Sequence, residues 1–303
     1  MLPRPLRHAL ESWLLRLLHP GGTATEDFLY PCNEPALTAP DSIAWTVFKN
    51  PLALFIGGVT AVVLELAEPR VRSGVWEHTS FRERPLERLR RTGFAAMMTV
   101  YGPRGHAESM IAGIARLHAR VRGVTPDGRA YCAADPELLD WVQATASFGF
   151  LEAYHAYVRP LSALQRDFFY QEGLPAARLY GAMSAPGSQA ETRVLFDRMR
   201  GQLERSEIVF EFLDIMRRVP ALPAPLRPLQ GILIKAAVQT IPMELRQHLG
   251  LHERWDLAPW QRHLVCRAGV AADQLVLRTS PAVQSCRRLG LPDNYLYVRN
   301  DLR

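Results

Sequence analysis

The stretch PLALFIGGVTAVVLELAEP, residues 51–69, is the reading on which the fold turns. From Leu52 to Leu64 it carries no charge, and Lys49 and Glu65 bound it. A helix needs about 20 apolar residues to cross a bilayer, and this run is shorter, so it reads as a helix buried in a protein core. Two adjacent glycines, Gly57 and Gly58, interrupt it at a cost of about 1–2 kcal/mol relative to alanine. Something therefore packs close against that backbone. Another helix or a flat cofactor would both do, and spacing alone does not separate them.

Outward from this run the period is helical throughout. Asp41 and Ser42 supply an N-cap for a helix interrupted near Pro51, which continues to Ala67 and ends at Glu68-Pro69. Pro85 fits the first turn of a helix running to about Tyr101, and Gly102-Pro103 breaks the chain after it. Further helices are predicted at about 107–122, 137–158, 162–172, 190–203, 206–217, 226–239 and 260–268. Turn chemistry at Pro126-Asp127-Gly128 separates the first two of these. No β-hairpin signature and no internal repeat is found. The expected class is all-α, a multi-helix single domain. Residues 1–40 are read as an amphipathic helix and loop, 41–270 as the helical domain, and 271–303 as a tail that either wraps the domain or is loose.

With 303 residues, 48% hydrophobic and 22% charged, the chain is long for one core but has ample material for it. The net charge of +6 comes from 36 Lys and Arg against 30 Asp and Glu. These charges are scattered along helices with no recognised nucleic-acid module, so nucleic acid is not an expected partner. Four distant cysteines without a CxxC pair argue against structural zinc and disulfides, and suit a cytoplasmic location. The leucines near Arg4 and Arg7 form too short and broken a run for a signal peptide. Peripheral contact with a membrane stays open.

Among residues that could carry chemistry, His118 shares a helical face with Ile111, Ile114 and Val121. Such a histidine is commonly a satisfied core residue, but a buried neutral imidazole also suits an axial ligand of haem iron. Arg88 and Thr92 lie one turn apart and, with Arg91, present cations and a hydroxyl near one face; a solvated basic patch is the plainer reading. His248 with His252, and His263 with Cys266, have no convergent partners. Phosphate loops, dinucleotide fingerprints and nucleophile elbows are missing from the sequence, as are the Glu-x-x-His pairs of di-iron bundles.

Four blocks then stand in order: FIGGVTAVVLELAEPRVRSGVWEHTSFRERPLERLRRTG from Phe55, VYGPRGHAE from Val100, HARVRGVTPDGRAYCAADPELLDWVQAT from His118, and RPLSALQRDFFYQEG from Arg159. In order and spacing they resemble the MpaB-type oxygenase family, which includes the latex-clearing proteins. The resemblance implies a globin-related helical core holding haem b, and an oxidoreductase that adds dioxygen across carbon–carbon double bonds of a hydrophobic, isoprenoid- or lipid-like small molecule. By position it implies His118 as the iron ligand, and Arg88 and Thr92 as the pair near the haem. Arg91 stands where rubber-cleaving members carry a lysine. Gly57 and Gly58 would then lie against the cofactor. The chain departs from the family at Glu68-Pro69, where many relatives read His-Pro, and at Gln143, where they have histidine. Glu68 is read as a solvated helix-end residue, with a proton-shuttle role as the alternative. Two other readings remain: a haem- or lipid-binding protein without turnover, and a cofactor-free partner protein with a basic surface.

Overall fold

The computed structural model describes residues 27–298. The amphipathic segment expected at the N-terminus lies outside them, except for the end of its loop. The described residues form fourteen α-helices and one two-stranded hairpin, which bears out the all-α expectation.

The interrupted helix is two helices with separate caps. Ser42 accepts from the Trp45 amide at 3.1 Å and starts α1, Ile43–Phe48. The Asn50 side chain then accepts from Leu52 and Ala53, both at 3.1 Å, and starts α2, Pro51–Ala67, with proline at its first position. Glu68 ends α2 and, by accepting from Val71, also opens α3, Pro69–His78, which turns away by 108°. The sequence reading missed α3, because Pro69 looked like a stop and serves as a start. Among the described residues no single helix is long and apolar enough to cross a membrane.

The centre of the molecule is α2 against α6, Pro136–Tyr157, the most extensive helix contact among the described residues, with a close backbone approach at Gly57 and Gly149. A Cβ on Gly57 would lie 2.7 Å from the Gly149 carbonyl oxygen, so only glycine lets the two backbones meet here. The Trp141 indole donates to the Leu64 carbonyl at 3.3 Å, and the Thr60 hydroxyl to that of Ala237 at 2.9 Å on α10, Arg227–Thr240.

A second unit is the helical hairpin of α4, Pro85–Tyr101, and α5, Arg104–His118, joined at Gly102-Pro103. The sequence reading carried α5 to residue 122, but it ends at His118, and Val121 lies outside it. Instead of continuing the helix, Arg122–Val124 (β1) pairs antiparallel with Ala130–Cys132 (β2) around the expected turn. Gly123 and Tyr131 are opposite each other, and Tyr131 packs on α3 at Gly74, its hydroxyl 3.1 Å from His78 Nε2.

The remaining helices enclose this pair of units. They are α7 (Ala163–Tyr180), α8 (Gln189–Met199), α9 (Glu207–Arg218), α11 (Met243–His248), α12 (Pro259–Asp273), α13 (Pro281–Arg288) and α14 (Tyr295–Val298). Residues 271–298 wrap the domain. The buried Arg288 guanidinium donates to the carbonyls of Phe28 and Glu34, both at 2.8 Å, and of Tyr101 at 2.7 Å. Lys49 donates to the carbonyls of Asp273 at 3.1 Å and Leu296 at 3.0 Å. Each cation meets several oxygens, as a buried charge must.

Candidate active site

From Ile56 to Ala67 helix α2 is buried around its circumference except along one line, which Leu54 extends toward its start. Leu54, Gly58, Val62 and Glu65 keep accessible surface, while Ile56, Gly57, Val59, Thr60, Ala61, Val63 and Leu64 are buried. The spacing of four, four and three residues makes this a single face. It holds one ionisable group, Glu65, and burial pushes that carboxyl up to about 7, against the opposing effects of Arg88 and the Thr145 hydroxyl.

Arg88 comes from α4 and His118 from the last turn of α5. Burial lowers the His118 pKa, and the nearby Arg88 guanidinium lowers it further. The ring is therefore neutral at physiological pH. Its Nδ1 is buried and has no hydrogen-bond partner. Arg88 in turn has its pKa lowered by burial, raised by Glu65 and lowered by Arg91. Glu65, Arg88, His118 and Thr145 thus converge from four helices.

Those four helices are paired two by two. The α2–α6 pair packs tightly and α4–α5 packs as a hairpin, yet the two pairs make little backbone contact with each other. The backbones of the two pairs stand apart, and this interval is called the slot; across it Glu65 on the α2–α6 pair and Arg88 on the α4–α5 pair act on each other, as Arg88 does on His118. The helices around it also carry half-buried apolar side chains: Leu89 and Met97 on α4, Met110 on α5, Val142 and Phe148 on α6.

The residues singled out from sequence fall into distinct places. His118 and Arg88 come together. Arg91 acts on Arg88 but is exposed, as is Thr92 one turn beyond Arg88. Gly57 is corrected: its open side is taken by Gly149, a helix–helix contact with no room for a cofactor. Gly58 lies on the Glu65 face, and only the Phe150 ring approaches its missing Cβ, at 3.9 Å. Glu68 is also corrected. It is fully buried rather than solvated, bonded to the Val71 amide at 2.8 Å and to Arg70 at 2.7 Å. Arg70 further reaches Glu137 at 2.8 Å, so Glu68 holds the α2–α3 corner and does not enter the slot. Gln143 points to Ser147, at 3.2 Å, and to Gly173 on α7. His248 bonds the Leu203 carbonyl at 2.7 Å, and Cys266 contacts the Ala156 carbonyl at 3.8 Å. Among the described residues no three of His, Cys, Asp and Glu gather as a metal site.

Sequence reasoning missed Glu65. It was seen only as the end of an apolar run, although a lone carboxylate seven residues past Gly58 on a core helix was a signal to weigh.

Four helices thus bring one neutral histidine, one cation and one carboxyl of raised pKa together in an all-helical domain. The catalytic domain shared by the ER-bound oxygenases mpaB/B' and rubber oxygenase matches residues 45–272, and the chain belongs to this family. That makes it an oxygenase, and an oxidoreductase by class. No curated protein and no solved structure matches it.

Proposed function

We propose that this protein is a haem b-dependent oxygenase acting with dioxygen on a hydrophobic, unsaturated, isoprenoid- or lipid-like small molecule. The observation that carries the reading is the buried, unpartnered Nδ1 of a neutral His118, set beside Arg88 in a slot between two helix pairs. A buried ring nitrogen without a partner is costly, and a ligand that engages the imidazole removes the cause. One histidine suffices for iron that brings four donors of its own in a flat macrocycle, whereas a bare ion needs more ligands than converge here. Haem, when bound, supplies activation of dioxygen for addition to a carbon–carbon double bond.

The chain's own residues do the rest. His118 is kept neutral, and so able to ligate, by burial and by the adjacent guanidinium. Arg88 stays cationic in a half-buried place and would hold the acidic groups of the cofactor by charge and hydrogen bonding. Glu65 holds or releases a proton at its carboxyl oxygen near neutral pH, the range in which a general acid–base is most effective. Thr145 steadies the carboxylate form. Apolar side chains on the same helices exclude water and favour a hydrocarbon substrate. Arg91 and Thr92, at the exposed rim, would contact what enters.

The test is an absorption spectrum of the haem-supplemented protein beside His118→Ala. An intense Soret band in the wild type that collapses in the variant is the expected result. A band of equal strength in both removes His118 as the ligand, and a flat spectrum in both removes the haem reading.

A further inference from the structure

The end of the α4–α5 hairpin next to His118 carries a patch that the slot chemistry does not use. Arg116 and Arg120 stand one turn apart at the end of α5 and just past it, with Leu117 between them, and all three are exposed. The chain then enters β1, where Arg122 and Val124 alternate onto one face while Gly123 lies on the face toward α3. Leu117 is 54% exposed and Val124 58%. Arg91, at the rim, faces outward beside Arg88.

Among the described residues Arg91, Arg116, Arg120 and Arg122 make no ion pair; Arg122 only donates to the Ala119 carbonyl at 3.3 Å. Carboxylates nearby are mostly engaged elsewhere. Glu87 pairs with Arg84 at 3.2 Å, Asp127 with Arg129 at 2.7 Å, and Glu77 accepts from the Tyr131 hydroxyl at 3.2 Å. Glu83, and Glu108 farther back on α5, are exposed acids that soften the field. The result is a cationic face with two protruding aliphatic side chains, immediately beside the His118 end of the slot.

We propose that Arg116, Leu117, Arg120, Arg122 and Val124 dock this protein on an anionic lipid bilayer. Arginines meet lipid phosphates while their stems and neighbouring aliphatic groups enter the acyl boundary, and this combination fits a bilayer better than an acidic protein, which has no use for the exposed Leu117 and Val124. A hydrophobic substrate concentrates in that bilayer, so docking at the slot's His118 end shortens its path. The surface itself depends on neither haem nor turnover.

The test is co-sedimentation of the full chain with vesicles of phosphatidylcholine alone, or of phosphatidylcholine mixed with phosphatidylserine. The wild type is compared with R116Q/R120Q/R122Q and with Leu117→Ser. Each arginine near a charged surface contributes about fivefold to partitioning, so the triple variant is expected to lose about a hundredfold on the mixed vesicles. Leu117→Ser is expected to weaken binding severalfold, and high salt to weaken the wild type. Unchanged haem content and thermal melting in the triple variant keep this result separate from the oxygenase reading. Wild-type-like binding by the triple variant, or equal binding of the wild type to both vesicles, would overturn the proposal. So would a wild type that ignores both, which would leave the arginines to an acidic protein.

Discussion

Helices α2 and α4 each have 17 residues, yet they behave as opposites. In α2 the only charge is Glu65, and the helix is buried on every side but one, locked to α6 through glycine against glycine. In α4 the first two turns hold Glu87, Arg88, Arg90 and Arg91, and only Met98, Val100 and Tyr101 at its far end are buried. One helix is scaffold with a single working face; the other is a working face anchored by its end. The proposed chemistry lies where they confront each other, because a carboxylate from the dry side and a cation from the wet side act on one another across the slot. The scaffold raises the pKa of Glu65 by withholding water, and the hairpin supplies the charge that moderates the rise.

The comparison can be broken at several points. The largest effect is expected at the slot itself, where His118→Ala should abolish the Soret band and oxygen uptake together. Next comes Glu65→Gln, which keeps the shape and removes the proton site. Oxygen consumption at neutral pH should fall about a hundredfold, and the pH dependence near 7 should disappear from the rate profile.

The same carboxyl makes a stability prediction for the haem-free protein. Its folded pKa of about 7 lies above the ordinary 4.5, so the folded state holds the proton more tightly. Its contribution is full below pH 4.5 and is lost as pH rises through 7, amounting to about 3 kcal/mol in urea denaturation. Glu65→Gln should flatten that slope.

On the scaffold side, Gly57→Ala forces a methyl into the Gly149 backbone and should cost about 3 kcal/mol of stability, read as a lower urea midpoint. Gly58→Ala meets only a ring edge, and should leave the midpoint within about 1 kcal/mol of wild type. Equal losses at the two glycines would contradict the division of α2 into a packed side and a slot side. The smallest effect on the chemistry belongs to Glu68→Gln. It should destabilise the α2–α3 corner by about 2 kcal/mol through the loss of the Arg70 pair and a weaker cap, while haem content stays constant.

Much of the fold is legible in the sequence alone. The Leu52–Leu64 run and Pro85 announced a buried helix and a helix start correctly, because helix starts and apolar period are local properties of the chain. Errors fell where a local signal has two meanings. Pro69 stops one helix and starts another. Arg122–Val124 carries no strong strand preference and becomes β only by pairing with Ala130–Cys132. The tail's weak period hid Arg288, whose carbonyl partners are up to 260 residues away in sequence.

The sequence by itself determined the all-helical class and the family, since each is written in composition, spacing or motif order. Only the tertiary structure decided that Gly57 belongs to a helix contact and Gly58 to the slot, that Glu68 is a corner and Glu65 the proton holder. Those distinctions depend on which side of a helix is covered, and by what. Coverage is a relation between segments far apart in the chain, so no local pattern encodes it.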